Sequence, residues 1–434
     1  MSSYAEAVAG AVEAAQAGDL QTAFFRMRGA LSWPGPEADE ELYEGLGIMA
    51  RIVAPMAGLE VAGLFESAAR GPDLRRLRDL AHGMMDMGLA AMALPVLERC
   101  RRLAPDNDAV LLELVTAFDA IGAPQPALAA LRAQPAALAR QSGLRHALAV
   151  ATAQTGDLEA LPGLLGSLGA PEGDEQRLIQ AWLQRTLIRA GLTRPLTGLD
   201  RGDLRGWQYA LTGTLLLHIS EHGHPEPMAG RYAWVQDSPG TVRLAVDRLA
   251  RVLKAMGPTP PVIVPLPDRD SEILARIAGD LLGLPVRPWP IRGVPAPALV
   301  VAYDMREADP GALAVLFQRA PGQVLWSHVG CWTEGGPIAP DIVSFLAQYA
   351  VSPWGETLTV DPETQAVSHR EADGRSVEEI AGPISALPAP EAEAGPLDDL
   401  AALDALARAD AGLPERRPRE RWTLGSPVPS ARFA

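Results

Sequence analysis

The chain has 434 residues, of which 48% are hydrophobic, and its formal net charge at neutral pH is −15. This length predicts two or three domains with sizeable cores, and the negative charge argues against a nucleic-acid-binding surface, which needs clustered lysine and arginine. With only two cysteines, Cys100 and Cys331, the chain has neither a disulfide framework nor a cysteine-rich zinc site.

The N-terminal stretch MSSYAEAVAGAVEAAQ carries Glu6 and Glu13 but no basic residue, which is not the pattern of a signal peptide. The longest apolar stretch, residues 48–64, is interrupted by charged residues and a proline, so we expect no membrane-spanning segment. The expected location is therefore the cytoplasm.

An internal repeat with a period of 34 residues occupies the N-terminal part of the chain. Three glycines lie at this spacing, and small or apolar residues keep the same offsets around each of them. Apolar residues recur at helical spacing on both sides of each glycine. The pattern predicts pairs of antiparallel helices joined at a glycine, where a positive φ costs little. The repeat is defined by Leu80, Ala81, Gly88, Ala93, Leu97, Pro105, Gly122, Ala127 and Gly156.

In these residues the chain resembles the tetratricopeptide repeat family. The resemblance implies a helical-hairpin array over residues 1–195, with a further unit around Gly18, an atypical helical pair over 36–70 and a capping helix over 175–192. It also implies that a partner protein or peptide binds on the concave face of the array. The alternative is a purely structural array that packs on the neighbouring domain.

Residues 200–362 alternate short apolar strands with helices, which predicts a mostly parallel sheet covered on both faces. The predicted strands are WQYALTGTLLLHIS, GRYAWVQDS, PVIVPL, PVRPWP, PALVVAYD and QVLWSHV. The predicted helices are SPGTVRLAVDRLARVLKAMG, SEILARIAGDLLG, PGALAVLFQRA and APDIVSFLAQYA. Ligands of such sheets bind beyond the carboxyl ends of the strands. The candidate ligand-binding residues there are Asp268, Arg269, Asp270, Asp304 and Arg306.

Two stretches of this domain resemble the type I phosphoribosyltransferases. VIVPLPDRDSEILARIAGDLLGLPV is similar to the family's first core strand, pyrophosphate loop and helix, and ALVVAYDMREADPGAL is similar to its phosphoribosyl pyrophosphate motif. The family's motif has two adjacent acids, whereas here Tyr303 precedes Asp304. Glu307 and Asp309 occupy the loop that would have to attract a phosphate. The resemblance implies a three-layer phosphoribosyltransferase-like domain that has lost catalysis and is reused for binding.

The catalytic candidates are Asp304, His328 and Cys331. His328 and Cys331 follow a predicted strand, where a cysteine–histidine pair acts as nucleophile and base if the two side chains meet. The alternative is a buried, inert cysteine.

HISEHGHPEP carries His218, His222 and His224 between two predicted strands. These histidines form either a divalent-metal site or a solvated loop. We expect no other cofactor.

Residues 363–434 are predicted to form a third region. It contains a linker that begins at Gly382, a short amphipathic helix in LDDLAALDALARADAGL, and a basic, proline-rich tail. This tail is expected to be disordered unless it binds a partner; the alternative is an inert tail.

The leading functional hypothesis is a non-catalytic scaffold or adaptor that binds a partner protein. The first alternative is an enzyme that acts on a nucleotide or phosphosugar at the carboxyl ends of the strands. A weaker alternative is metal-dependent chemistry at the histidine stretch.

Overall fold

The computed structural model describes residues 4–220, 228–290, 293–360, 367–388, 398–413 and 422–430. The chain divides into two compact units, Met1–Gln180 and Ala181–Phe433. Helices build the first unit, and a parallel sheet with helices builds the second. The α + α/β fold class predicted from the sequence is confirmed. Within the described ranges, none of the helices combines the length and apolar character needed to cross a membrane.

Most of the N-terminal helices pack against the next helix along the chain, and together they are here called the helical array. The atypical pair expected over residues 36–70 is confirmed as the helices Asp39–Ala57 and Leu59–Ala68. The helices are α1 Tyr4–Gln16, α2 Leu20–Leu31, α3 Asp39–Ala57, α4 Leu59–Ala68, α5 Leu74–Asp86, α6 Ala90–Leu103, α7 Asp108–Ala120, α8 Pro124–Arg132, α9 Pro135–Arg140, α10 Ser142–Gln154, α11 Leu161–Ser167 and α12 Asp174–Thr197.

The repeat glycines take the conformation that their spacing predicts. Gly88, Gly122 and Gly156 have φ values of 72°, 61° and 82°, and Gly18 has 81°. In each turn, the residue after the glycine donates its N–H to a carbonyl five residues earlier, which closes the helix with a Schellman motif. These bonds are Asp19 to Ala14, Leu89 to Met84, Ala123 to Phe118, and Asp157 to Thr152.

From α5 onward, side chains link the first helix of one hairpin to the first helix of the next unit, from α5 to α7, from α7 to α10 and from α10 to α12. The Arg78 guanidinium on α5 binds the Glu113 carboxylate on α7, and Gln154 on α10 donates to Asp119 on α7 at 2.8 Å. The partners lie 34 or 35 residues apart, so the links repeat with the sequence period. The other links join Gln176 to Ser142 and Gln180 to His146.

The second unit contains one main sheet, a pair of antiparallel strands and several helices. Its elements are α13 Leu204–Thr212, β1 Leu215–Leu216, β2 Tyr232–Gln236, α14 Pro239–Met256, β3 Ile263–Pro265, α15 Arg269–Leu282, β4 Ala298–Asp304, a 3-10 turn Met305–Glu307, α16 Pro310–Phe317, β5 Gln323–Gly330, β6 Ile342–Val351, β7 Thr357–Val360, β8 Val367–Arg370, α17 Val377–Ser385 and α18 Leu400–Ala411.

The main sheet has the order β1-β6-β5-β4-β3, and every ladder in it is parallel. β2 also pairs with β6 in parallel, from Tyr232 opposite Ala347 to Gln236 opposite Val351. β1 and β2 therefore share one edge of β6, with β1 at its start and β2 at its end. The carboxyl ends of β2, β3, β4 and β6 consequently lie along the same edge of the sheet.

The sheet is covered on both faces, and successive residues of β4 alternate between the two cores. Leu299 and Val301 belong to a core shared with α14, α15, α17 and α18. Val300 and Ala302 belong to a smaller core shared with α16. The sheet is therefore the middle of three layers, with the heavier helical layer on one side.

Residues 207–220 form a helix and a short strand rather than the predicted long strand. Asp203 caps α13 by accepting the N–H of Gly206 at 2.8 Å, and Gly213 ends the helix with φ 70°. These two helix-end signals override the β-prone composition between them. Leu215 and Leu216 then form β1, and the N–H groups of Leu217 and His218 also donate to carbonyls of β6.

The prediction of a helix in APDIVSFLAQYA is wrong, because this segment forms β6. β6 pairs with β5 on one side and with β1 and β2 on the other, so its backbone is satisfied within the sheet. A short apolar run fits a helix or a buried strand equally well by periodicity, and tertiary pairing decides. PVRPWP, predicted as a strand, contributes only an isolated bridge from Val286 to Ile263.

Two parts of the C-terminal region are more ordered than the sequence predicts. α17 extends into the predicted linker and starts with a capping box between Ser376 and Glu379. Within the predicted disordered tail, Trp422 forms an antiparallel bridge with Gly336, and Val428 is buried. The short amphipathic helix predicted between these segments is confirmed as α18.

Candidate functional site

The carboxyl ends of β2, β3, β4 and β6 surround a cavity of about 830 Å³, here called the carboxyl-edge cavity. Its position agrees with the rule that ligands of parallel sheets bind beyond the carboxyl ends of the strands. It is lined by all five predicted ligand-binding residues, which are Asp268, Arg269, Asp270, Asp304 and Arg306. The sequence contains no local signal for the other walls, which come from β2, β6 and the β7–β8 hairpin.

Asp304 and Arg306 form an ion pair at the end of β4. Arg306 Nε lies 3.1 Å from both carboxylate oxygens of Asp304, and Nη2 lies 2.5 Å from Oδ2. The remaining terminal nitrogen, Nη1, donates to the carbonyl of Gln348 at 2.9 Å. The guanidinium of Arg306 is therefore occupied by acceptors of the protein itself.

The other charged groups of the cavity lie at the start of α15. Asp268 caps this helix by accepting the N–H of Ser271 at 2.8 Å. Burial raises the pKa of Asp268, and the negative charge of Asp270 adds to the shift, while the bond from Ser271 opposes it. Asp270 accepts the indole N–H of Trp354 at 2.8 Å. Arg269 Nη2 donates to the carbonyls of Asp373 and Arg375.

Three aromatic side chains contribute to the cavity walls. Trp234 on β2 and Tyr349 on β6 are register partners in the parallel ladder, so they stand side by side on one face of the sheet. They are 51% and 55% exposed. Tyr303, at the end of β4, is buried and also lines the cavity.

A buried polar network continues from Tyr303 into the core. The Tyr303 hydroxyl donates to Asp237 Oδ2 at 2.8 Å, and His328 Nε2 lies 2.9 Å from the same oxygen. The other ring nitrogen of His328 lies 3.1 Å from Ser344 Oγ. Burial, together with the charge of Asp237, raises the pKa of Tyr303 far above its ordinary value, so its hydroxyl remains a donor.

The structure does not bring His328 and Cys331 together. His328 has no exposed surface, and its nitrogens face Asp237 and Ser344. Cys331 Sγ instead lies 3.4 Å from Thr333 Oγ1 and 3.7 Å from the carbonyl of Gln348. The third catalytic candidate, Asp304, is engaged by Arg306.

Cys331 lines a second cavity, of about 260 Å³, that the C-terminal Trp422 helps to close. The indole N–H of Trp422 donates to the carbonyl of Cys331 at 2.5 Å. A Cβ atom at Gly330 would lie 2.9 Å from Val343, 3.0 Å from Leu346 and 3.2 Å from the indole ring of Trp422, so there is no room for a side chain there. Gly336 forms the backbone bridge to Trp422.

His218 belongs to a second polar network, around Asp398. His218 Nδ1 lies 3.0 Å from Asp398 Oδ2, and Nε2 lies 2.9 Å from the Tyr232 hydroxyl. Arg205 and Arg248 also bind the Asp398 carboxylate, and all three groups are almost fully buried. Burial by itself would raise the pKa of Asp398, but the His218 bond and the two arginine charges hold it well below its usual range.

Of the three histidines predicted to form a metal site, His218 is held by Asp398 and Tyr232. His222 and His224 lie outside the described residues. In the described part of the chain, three or more His, Cys, Asp or Glu side chains do not converge in a way that could hold a metal ion.

Sequence reasoning did not identify Asp237 or Asp398. Asp237 directly follows β2 and precedes the Ser238 helix cap, so the strand-end rule that found Asp304 could have found it. No comparable signal exists for Asp398, whose arginine partners lie 193 and 150 residues away in the sequence.

No protein-family model matches this chain, and no curated protein matches its sequence.

Proposed function

We propose that this protein is a non-catalytic scaffold or adaptor. In this proposal the helical array is of the tetratricopeptide type and binds a partner protein. The α/β unit is of the phosphoribosyltransferase type and binds a ligand without transforming it. The observation that carries the proposal is the repeated linkage of successive first helices, in which partners lie 34 or 35 residues apart. Regular stacking of this kind supports an extended binding surface.

Leu112 lies on the face formed by the first helices of the hairpins, so a substitution there tests whether this face binds the partner. This residue lies on α7 at the repeat position that Arg78 occupies on α5 and His146 occupies on α10. It is 41% exposed, so a change here alters the chemistry of the face with little effect on the core. Phe25 on α2 is also an exposed apolar residue, but it belongs to the second helix of its hairpin.

The arrangement of the catalytic candidates supports binding rather than catalysis in the α/β unit. A general base or nucleophile has to reach the substrate directly or through one water. His328 is fully enclosed and occupied at both nitrogens, and Asp304 is paired with Arg306. The cavity nevertheless keeps room for a ligand.

The partner-binding proposal is tested with full-length protein and its captured, then purified, partner. We expect Leu112→Arg to weaken binding of that partner at least roughly tenfold, as expected for a charge placed in a contact surface. Phe25→Arg serves as the matched control and should leave the affinity unchanged. Equal affinities for wild type and Leu112→Arg, or equal losses in both variants, would contradict binding through this face.

The competing function is an enzyme acting on a nucleotide or phosphosugar at the carboxyl-edge cavity. Calorimetry with phosphoribosyl pyrophosphate and Mg²⁺ separates the two, because the proposal takes the altered motif at Tyr303 and Asp304 to have lost this ligand and expects no saturable heat. Metal-dependent chemistry at the histidine stretch is tested by metal analysis of protein purified without a histidine tag. A stoichiometric divalent metal there would favour that alternative.

A further inference from the structure

The carboxyl-edge cavity contains more negative than positive charge. Five carboxylates line it, against two guanidinium groups and one histidine. Asp304 is paired with Arg306 and Glu356 with His369, so the remaining charged groups are three carboxylates and one guanidinium group. The charged lining residues are Asp268, Asp270, Asp304, Glu307, Glu356, Arg269, Arg306 and His369. An anionic ligand would be repelled in such a cavity, and a cation would be attracted.

Arg306 is not available to reverse this preference, because it is held by Asp304 and by the Gln348 carbonyl. Arg269 uses only Nη2 for its two backbone carbonyls, so it is the one guanidinium group that could turn toward a ligand. A phosphate bound by Arg269 would still have to approach Asp268 and Asp270, on either side of it in the sequence. The charge arrangement therefore disfavours phosphorylated ligands at the site.

The aromatic wall points to the same class of ligand. Trp234 and Tyr349 present adjacent, half-exposed rings at the cavity, and Tyr303 lies deeper. Aromatic faces attract cations, tryptophan most strongly, and the attraction grows as the cation loses water. Aromatic rings combined with carboxylates are the usual chemistry of ammonium recognition in proteins.

Gln236 adds a hydrogen-bond acceptor to this wall. It lies two residues after Trp234 on β2, so both side chains are on the same face of the strand. Its Oε1 is buried and finds no hydrogen-bond partner in the described part of the chain. If the Gln236 side chain turns this oxygen toward the cavity, an N–H donor from a ligand would satisfy it, which a quaternary ammonium group could not do.

We propose that the carboxyl-edge cavity binds an organic cation that carries a primary or secondary ammonium group. The ammonium group lies against Trp234 and Tyr349 and is neutralised by the carboxylates at the start of α15. This inference rests on the proposed role of the α/β unit as a ligand-binding unit, and it names the class of ligand.

The test is isothermal titration calorimetry of the full-length protein with cadaverine, using 1,5-pentanediol as the uncharged ligand of equal length. We expect saturable binding of cadaverine and none of the diol. Trp234→Leu should weaken cadaverine binding roughly tenfold, because it removes the aromatic face and leaves the net charge unchanged. Phe25→Leu, which removes an exposed ring of the helical array, should have no effect.

Asp270→Asn provides a second variant that removes one charge while keeping an acceptor for Trp354. We expect it to weaken cadaverine binding by a similar factor.

A parallel titration with Nα-acetyl-lysine methylamide, which keeps the side-chain ammonium group, identifies the source of the ammonium group. Tighter binding of this ligand indicates a lysine side chain, and tighter binding of cadaverine indicates a free amine.

Three results would overturn the inference: no saturable binding of either amine, equal binding of the diol, or full affinity in both Trp234→Leu and Asp270→Asn. Partner binding by the array is measured separately, as the affinity of the Leu112→Arg variant for the partner. Failure of amine binding with intact partner binding would therefore reject this inference and leave the adaptor proposal standing.

Discussion

The polar side chains that bind each other are about one repeat apart in sequence in the helical array and far apart in sequence in the α/β unit. In the array, the links between first helices join residues 34 or 35 positions apart, which is one repeat. In the α/β unit, Arg205 reaches Asp398 across 193 positions, and Tyr209 reaches Asp410 across 201. The array is therefore stabilised repeat by repeat, whereas the α/β unit depends on its C-terminal segment.

The burial of these groups differs as well. The side chains of Arg78 and Glu113 are each 35% exposed, whereas that of Asp398 is 1% exposed. A buried charge that loses its partner costs several times more than an exposed one, because water cannot replace the partner. Equal substitutions should therefore have unequal effects in the two units.

The largest expected effect is that of Asp398→Asn. This change leaves the guanidinium groups of Arg205 and Arg248 buried without a counter-charge, and we expect the α/β unit to lose about 3–5 kcal/mol of unfolding free energy. Asp404→Asn, on the neighbouring helix, is the matched control. It breaks the more exposed pair with Arg251 and should cost less than about 1 kcal/mol.

Both variants are measured by urea denaturation, with hydrogen–deuterium exchange of peptides from β1 and α14 as the local readout. If Asp398→Asn costs no more than Asp404→Asn, the C-terminal segment does not stabilise the α/β unit as the structure indicates.

The pH dependence of stability provides a second test of the contribution of the buried Asp398 carboxylate. The pKa of Asp398 is lower in the folded chain than the ordinary value of about 3.9. Its contribution is therefore fully present above pH ~4 and is lost as the pH falls toward the folded pKa. Between pH 5 and 3, the urea midpoint of the α/β unit should fall more steeply in wild type than in Asp398→Asn. Parallel slopes would contradict this assignment.

In the array, the next largest effect comes from backbone conformation. A Cβ atom at Gly88 or at Gly29 would meet nothing within 4 Å, but Gly88 has φ 72° and Gly29 lies inside α2. We expect Gly88→Ala to destabilise the array by about 1 kcal/mol and Gly29→Ala to stabilise it by about 0.5–1 kcal/mol. Thermal denaturation followed by circular dichroism measures both, and shifts of the same sign would contradict the repeat-turn assignment.

The same contrast explains what the sequence could predict. The hairpin turns were predictable because each depends on one glycine and its neighbours, and the cluster from Asp268 to Arg306 followed from the geometry of parallel strands. β6 was not predictable, because its apolar run fits a helix until β5 and β2 pair with it. Asp398 was not predictable either, because its partners are set by the tertiary fold.

The smallest expected effect is that of the link between Arg78 and Glu113. A double-mutant cycle with Arg78→Ala and Glu113→Ala should give a coupling free energy of about 0.5–1 kcal/mol, since the pair is only half-buried. The pair Arg75 and Asp79 lies within one helix and is largely exposed, so its coupling should be nearer ~0.3 kcal/mol. If the two couplings are equal, the links between repeats add nothing beyond ordinary surface pairing, and the stability of the array must come from its apolar core.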